Sequence, residues 1–539
     1  MLQTALEIEV ETSPVVSPRI SGSDAARWLE EFQLRYGRPL RVLHVGNIAN
    51  NAYNNAKVQR AKGIEAHVAV PDYYHVMGCP EWEDADFEGR IDDPMLPDFW
   101  AVNLKGFERP RWFAQGPLDI CRKYLIQLNA GTAVTQQLYW RYLEAYRYYL
   151  VKPYIRNLVA RTGITQDSIK RLATFVEVIA GKQLSSNRQN FSELMKATHA
   201  AEACLRASGG IAKDSTPNWH RAFGILDDDF ADFHPSALAW MPLFRHYDVI
   251  QAYSTDPIWP FLCRLPNFVA YEHGTIREIP FQDDAIGRLT KIAYQNAPAV
   301  FITNVDNIKA ADRLNLTQDC RNYLPHAFDS QKLLNHAEQT TVRYDQSEPR
   351  QFFMPSRQHW VDRDPNWAKG NDVVIRAIAQ MGDVKAPFIV KFINWGKDVE
   401  ASKQLIAELG ISHRIVWSPM LNKRQLWDEY IRSAVVIDQF LLPGISGVSF
   451  EAMTLGRPVI TCDEGDLNQR FFGKAPPLLT ANTSEAVAHQ LRRVILDEPW
   501  RAGVGESSAH WIQGYHSADR IFDIQVQAFR RVLEECGRA

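Results

Sequence analysis

The chain repeats one grammar twice. From Arg41, RVLHV reads as a short buried strand and GNIANN as a polar loop; roughly Ala52 to Lys62 reads as a helix closed by Gly63 at its C′ position, and AHVAV as a second strand. From Arg350 the alternation returns as QFFMP, a polar loop, helix DVVIRAIAQM, strand PFIVKFI, helix VEASKQLIAELG, strand RIVWS, helix KRQLWDEYIR and strand AVVIDQF. Strands joined through helices pair in parallel, and parallel sheets need cover on both faces. Two doubly wound α/β layers are therefore predicted, and 539 residues leave room for both.

YDVIQAY, NFVAYEH and AVFITN read as later strands of the first layer, and about 116–208 as a helical insertion within it. The predicted organisation is a tail and lead-in helix over 1–38, a first domain over 39–335, a second over 336–515, and a final helix over 516–539. The polar stretch HAEQTTVRYDQSEP places the linker near 335–350. Phe522, Val526, Phe529 and Leu533 form one helical stripe, expected to pack back on the first domain.

Composition removes several function classes. Sixty Lys and Arg against 63 Asp and Glu leave a net charge of -3, without the basic footprint of a nucleic-acid binder. The seven cysteines are scattered with no CxxC pair, which speaks against a disulfide framework or zinc knuckle and makes reducing cytosol the expected compartment. Glu7, Glu9 and Glu11 stand where a signal peptide needs cations, and no apolar run is long enough to span a bilayer, so any membrane contact is expected to be peripheral. No acidic triplet of DxD type follows a strand, and DDDF at 227–230 reads as solvated loop, so no metal site is expected.

The stretch AVVIDQFLLPGISGVSFEAMTLGRPVITCD carries the most chemistry. It reads as a strand running to Asp438, a loop with Gly444, Ser446 and Gly447, a short helix with Glu451 in its first turn, and a stop at Gly456 and Pro458. Carboxyl ends of parallel strands face the ligand crevice. Free amides at a helix start, with glycines admitting close approach, suit an anion such as a diphosphate, and Glu451 suits the two hydroxyls of a ribose. The plainer reading is glycines shaping a tight turn and Glu451 favouring the helix dipole. In the first layer GNIANN lacks the glycines of a dinucleotide loop, with Ile48 and Asn51 in their places, and Asp72 then reads as loop solvation. Asn47, Asn50 and Asn51 offer neutral amides to a sugar or phosphate; the alternative is helix capping by Asn51. His273 in YEHGTIRE follows a buried strand, at a crevice-facing end.

GVSFEAMTLGRPVI resembles the signature of family 4 glycosyltransferases: a phosphate loop, a helix bearing the second Glu of an E-x7-E pair, then Ala-Met-x-x-Gly-x-Pro-Val-Ile. MPSRQHWVDRDPNWAKGNDVVIRAIA resembles that family's Arg…Lys-Gly-x-Asp element, and YLPHAFD its linker entry, so the likeness covers about 320–515 well and the first half loosely. It implies a GT-B architecture, two Rossmann-like domains facing across a cleft, and retaining, metal-independent, hexosyltransferase-like transfer from a UDP- or GDP-sugar to a glycan or lipid-linked glycan. Arg357 and Lys369 would reach the donor diphosphate, stabilising charge on the departing phosphate. Gly444, Ser446, Gly447, Val448 and Glu451 would hold the donor, with Val416, Trp417, Pro419 and Met420 along the base. His273 would touch the transferred sugar, and Arg277 an acceptor phosphate or carboxylate.

One departure stands out: Pro443 occupies the place of the first Glu. Asp438, the nearest upstream carboxylate, reads as solvated or turn-forming rather than catalytic. A nucleotide-sugar epimerase on the same scaffold and a noncatalytic glycan- or partner-binding protein stay open as alternatives. The stretch 122–171 carries nine Lys and Arg against Glu144 and Asp167, interleaved with tyrosines. It suits an anionic membrane face or a lipid-linked diphosphate, or else helices packed through their aromatics with solvated cations.

Overall fold

A computed structural model of the chain describes residues 23–130 except 72–74, 90, 92, 96, 100 and 101, then 143, 219–345, 349–464 and 466–537. The first sheet contains Arg41–Val45 (β1), Glu65–Val70 (β2), Phe113–Gln115 (β3), Val249–Tyr253 (β4), Phe268–Tyr271 (β5), Ala299–Ile302 (β6) and Arg321–Tyr323 (β7). Its strand order is β3-β2-β1-β4-β5-β6-β7. The second contains Arg350–Met354 (β8), Phe388–Ile393 (β9), Ile415–Ser418 (β10), Ser433–Ile437 (β11), Val459–Thr461 (β12) and Leu479–Thr480 (β13), in the order β10-β9-β8-β11-β12-β13. Every pairing within the two sheets is parallel. The expected pair of Rossmann-like lobes is present.

Local chemistry sets these elements. In RVLHV every residue after Arg41 is buried, as a central parallel strand requires. The helix Lys423–Arg432 begins at a reciprocal capping box between Asn422 and Gln425, which satisfies two amides the helix start leaves open. The helix Asn51–Ala61 ends before Gly63, whose φ of +91° only glycine adopts freely. Phe522, Val526, Phe529 and Leu533 of the helix Ala518–Glu535 are all buried in one cluster with Val42, Val68 and Phe301 of the first sheet. At about 1.5–3 kcal/mol per large apolar side chain, this docking is a principal stabilising term of the first lobe. Gln525 of the same helix enters a buried polar chain: Gln59 Nε2 donates to Gln525 Oε1 at 2.6 Å, and Gln525 Nε2 donates to Asn55 Oδ1 at 2.5 Å. His44 and Tyr253 complete that network.

Four expectations are corrected. The strand read through Phe440 ends at Ile437, because Asp438 turns inward to accept from Ser446 Oγ at 2.5 Å and Ser449 Oγ at 2.6 Å. DDDF is not a loop: it opens the helix Asp227–Phe244, where acids favour the positive end of the dipole, and Asp229 is buried against Arg288. The polar stretch read as linker starts inside the helix Ser330–Gln339, which stays folded because Leu333 is buried and His336 meets Asp428 at 2.8 Å. GNIANN tightens into a 3-10 turn at Ile48–Asn50, with Ala49 and Asn50 at positive φ. Most of the insertion over 116–208, and of the basic stretch 122–171, lies outside the described residues, as does Asp72. Within its described part, Arg122 is buried and donates to the Ala239 carbonyl at 2.8 Å, so this cation is not on a surface.

The lobes meet carboxyl edge to carboxyl edge. Val305 beyond β6 touches the loop beyond β11 at Gly444. Asn366 and Trp367 beyond β8 both donate to Glu278 beyond β5, at 2.9 and 3.3 Å. Lys309 pairs with Glu464, and Arg424 with Asp86 at 3.1 Å. Phe328 packs on Phe450 with the rings tilted at 34° and 4.6 Å apart, and joins the two lobes in one core.

Candidate active site

In the second sheet the strand order reverses between β8 and β11, so its crevice opens beyond their carboxyl ends. Arg357 and Lys369 follow β8, and Asp438 and Gln439 follow β11. Lys369 Nζ donates to the neutral amide oxygen of Gln439 and lies within salt-bridge distance of no carboxylate among the described residues. Burial, with the charges of Arg357 and Arg277, pushes its ammonium down to about 8 against the opposing pull of Asp438. Arg357 Nη2 donates to the Trp367 carbonyl at 2.7 Å, and burial lowers the pKa of its guanidinium. Arg277 reaches the same place from the other lobe. It is paired with Asp306, through Nε and through Nη2 at 3.0 Å, and Gly274 has no Cβ to obstruct its guanidinium.

The loop expected to cradle a diphosphate is more occupied than the sequence suggests. Gly444 has φ +108°, and a Cβ there would overlap Val305 Cγ2, so this glycine admits the other lobe rather than a ligand. Ser446 caps the helix Gly447–Thr454 and takes the Val448 amide at 3.2 Å. Gly447 is the open position, since an added Cβ would meet only Phe450 Cζ at 3.7 Å. Asp438 is buried, not solvated; it forms the turn by holding Ser446 and Ser449.

Glu451 lies in the second helical turn, not the first, and is buried. Lys423 Nζ meets its carboxylate at 2.5 Å and that of Glu83, from the first lobe, at 3.7 Å. Burial raises the Glu451 pKa despite this cation; for Lys423, burial works to lower the pKa but the two acids outweigh it and raise it. Sequence reasoning missed Lys423 and Glu83. A signal existed: a cation in the first turn of a helix opposes the dipole and needs a specific partner. Glu272, buried at the end of β5, was also missed. It accepts from the amides of Gly274, Thr303 and Asn304 at 2.6, 2.7 and 3.0 Å, tying the His273 loop to the β6 loop.

The asparagines expected to face a sugar are spent internally. Asn47 Oδ1 accepts from the Tyr53 amide at 3.0 Å, so Asn47 rather than Asn51 satisfies a free amide in the first turn of the helix Asn51–Ala61, and its Nδ2 donates to the Gly78 carbonyl at 2.8 Å. Asn50 Nδ2 donates to the Cys79 carbonyl at 2.9 Å. Asn51 instead orients His273. Its Nδ2 donates to the Ile48 carbonyl at 2.8 Å, which fixes the amide, and also to His273 Nδ1 at 3.1 Å. The proton of the neutral ring therefore sits on Nε2. Burial, then Arg277, pushes the His273 pKa to about 4, so the ring is neutral near pH 7 and offers an N–H donor.

The residues expected along the base lie on the outer strand β10 and the loop after it. Val416 and Pro419 are exposed, and Trp417 packs on Phe392 within the second core. Met420 is turned to the first lobe, against the cluster of Val76, Phe87 and Phe99.

Protein-family models give no match to the chain, and neither do curated proteins. Solved structures do. Sucrose-phosphate synthase from Thermosynechococcus elongatus is similar at 16% identity and a TM-score of 0.43, over 57% of this chain and 80% of that one. HepE from Anabaena in complex with UDP and glucose is similar at 18% and 0.41, over 57% and 81%. A glycosyltransferase from Rickettsia africae is similar at 16% and 0.41, over 60% and 84%.

Proposed function

We propose that the protein transfers a sugar from a nucleotide diphosphate-sugar, UDP- or GDP-linked, to a hydroxyl of a glycan or lipid-linked glycan, in the cytoplasm and with retention at the anomeric carbon. One observation carries this reading: Lys369, whose ammonium has only a neutral amide as partner among the described residues, shares its field with Arg357 and with Arg277 of the opposite lobe. Cations kept together without a neutralising carboxylate in contact with the ammonium suit a multiply charged anion.

In the reaction the bond from the sugar carbon to the phosphate oxygen breaks, and its electrons pass to the departing phosphate. Arg357 and Lys369 stabilise that charge more in the transition state than in the ground state. The acceptor oxygen bonds to the same face of the sugar carbon, and its proton passes to a phosphate oxygen. His273 Nε2–H donates to the transferred sugar without carrying charge itself. Glu451, once Lys423 Nζ releases one of the carboxylate lone pairs it now occupies, accepts from the ribose hydroxyls.

Calorimetry with UDP and GDP, followed by assay of UDP-glucose and GDP-mannose consumption, tests the reading. Binding of one nucleotide with consumption of its sugar is expected; an epimer formed without an acceptor identifies the epimerase instead. A protein that binds neither nucleotide overturns the proposal.

A further inference from the structure

The first sheet has its own reversal of strand order, between β1 and β4. Val45 of β1 is in register with Ala252 of β4, so Gly46 and the turn after Tyr253 form the lips of this second crevice. Asp256 occupies it. Gly46 has φ +86°, and a Cβ there would overlap Asp256 Oδ2, so the glycine lets the carboxylate fold over the end of β1. Ser254 takes a left-handed φ of +57°, a costly conformation for serine, to bring Asp256 back across the sheet edge.

The fold satisfies only half of this carboxylate. Asp256 Oδ1 accepts from Trp259 Nε1 at 2.9 Å, while Oδ2 has no hydrogen-bond partner among the described residues. No Lys, Arg or His among them lies within ion-pair distance. Burial accordingly raises its pKa to about 7, with Trp259 working against the rise. Asp256 is half-buried and Oδ2 is not among the sealed atoms left without a partner, so this oxygen opens to the crevice, where a ligand hydroxyl can take the place of water as its donor. Ser254 and Thr275, whose hydroxyls bond at 3.0 Å, add neutral polar lining nearby. Arg357 and Lys369 already make the facing crevice cationic, which disfavours a cationic ligand and leaves a neutral hydroxyl as the fitting donor.

We propose that Asp256 is the acceptor-side ligand of this protein, its Oδ2 accepting a hydrogen bond from a hydroxyl of a sugar or polyol acceptor at the carboxyl ends of β1 and β4. The assignment rests on the glycosyl-transfer reading and adds to it the group that selects a hydroxyl-bearing acceptor.

The test uses the full chain and its Asp256→Asn and Asp256→Ala variants. UDP-glucose and GDP-mannose serve as donors, and glycerol, methyl α-D-glucopyranoside and octyl β-D-glucopyranoside as acceptor probes. Nucleotide affinity is expected to stay within about twofold of the parent, while the ratio of transfer to hydrolysis falls at least tenfold in Asp256→Ala, mainly through the acceptor KM. Melting temperatures equal to or above the parent's exclude a folding defect. An unchanged transfer-to-hydrolysis ratio in Asp256→Ala overturns the assignment. So does a tenfold loss of nucleotide affinity, which would place Asp256 on the donor side, and so does a parent that hydrolyses donor yet glycosylates none of the three probes. A parent that binds neither nucleotide overturns the proposed function itself, and the acceptor assignment falls with it.

Discussion

Lys369→Met should stabilise the empty protein while abolishing most of its activity. The ammonium's fall from its ordinary 10.5 to about 8 corresponds to about 3 kcal/mol held against the fold at neutral pH. Partial solvation trims that, and losing the hydrogen bond to Gln439 removes about 1 kcal/mol more, leaving a net gain of about 1 kcal/mol for the methionine. Below pH 8 both folded and unfolded chains carry this proton, so the deficit of the parent is constant there. Between 8 and 10.5 the folded chain releases the proton first and the parent gains stability; above 10.5 the deficit is gone. Melts of parent and variant at pH 7, 9 and 10.5 should therefore show an advantage that fades with rising pH. UDP should reverse the order at pH 7, since ligand in hundredfold excess over Kd adds about 2.7 kcal/mol to whichever protein binds it. A variant less stable than the parent at pH 7, with a gap that pH does not move, refutes the account. So does an equal UDP shift in both proteins.

Arg357→Ala should lower kcat by about a hundredfold to a thousandfold, the loss expected for one donor to a developing oxyanion, with the melting temperature nearly unchanged because its one hydrogen bond among the described residues is to a carbonyl. Lys423→Met leaves Glu451 and Glu83 facing without their cation and should cost about 3–5 kcal/mol in denaturant melts at pH 7. Adding Glu451→Gln should recover part of the loss, and nucleotide affinity should stay weakened in the double variant. Gly444→Ala places a methyl against Val305 at a φ of +108° and should lower stability by at least about 1 kcal/mol, with partial rescue by Val305→Ala.

The sheets were legible because their signal is local. RVLHV and KRQLWDEYIR match observed elements residue for residue, the first by continuous apolar character and the second as a polar-faced segment between two apolar strands, its start fixed in the structure by Asn422 and Gln425. Where side-chain bonds compete with backbone continuation, the reading slipped: Asp438 ends a strand that hydrophobicity alone extends to Phe440, and three aspartates that look solvated begin a helix. Partners were least legible. Asn47 and Asn50 resemble ligand groups until the carbonyls of Gly78 and Cys79, about 30 residues away, are seen to use them. The influence of Arg277 on Lys369 joins positions 92 apart that no spacing rule connects. Asp256 went unnoticed because its interest lies in what the fold fails to give it.

The helix Ala518–Glu535 also constrains biosynthesis. Gln525 completes hydrogen bonds with Gln59 and Asn55 across 466 and 470 positions of chain. Throughout translation of everything in between, Gln59 Nε2 and Asn55 Oδ1 wait for Gln525, and the apolar face that the helix covers stays open. Closing so long a loop is slow relative to local contacts. The nascent protein thus passes through a half-finished state that ribosome-associated chaperones are suited to shield.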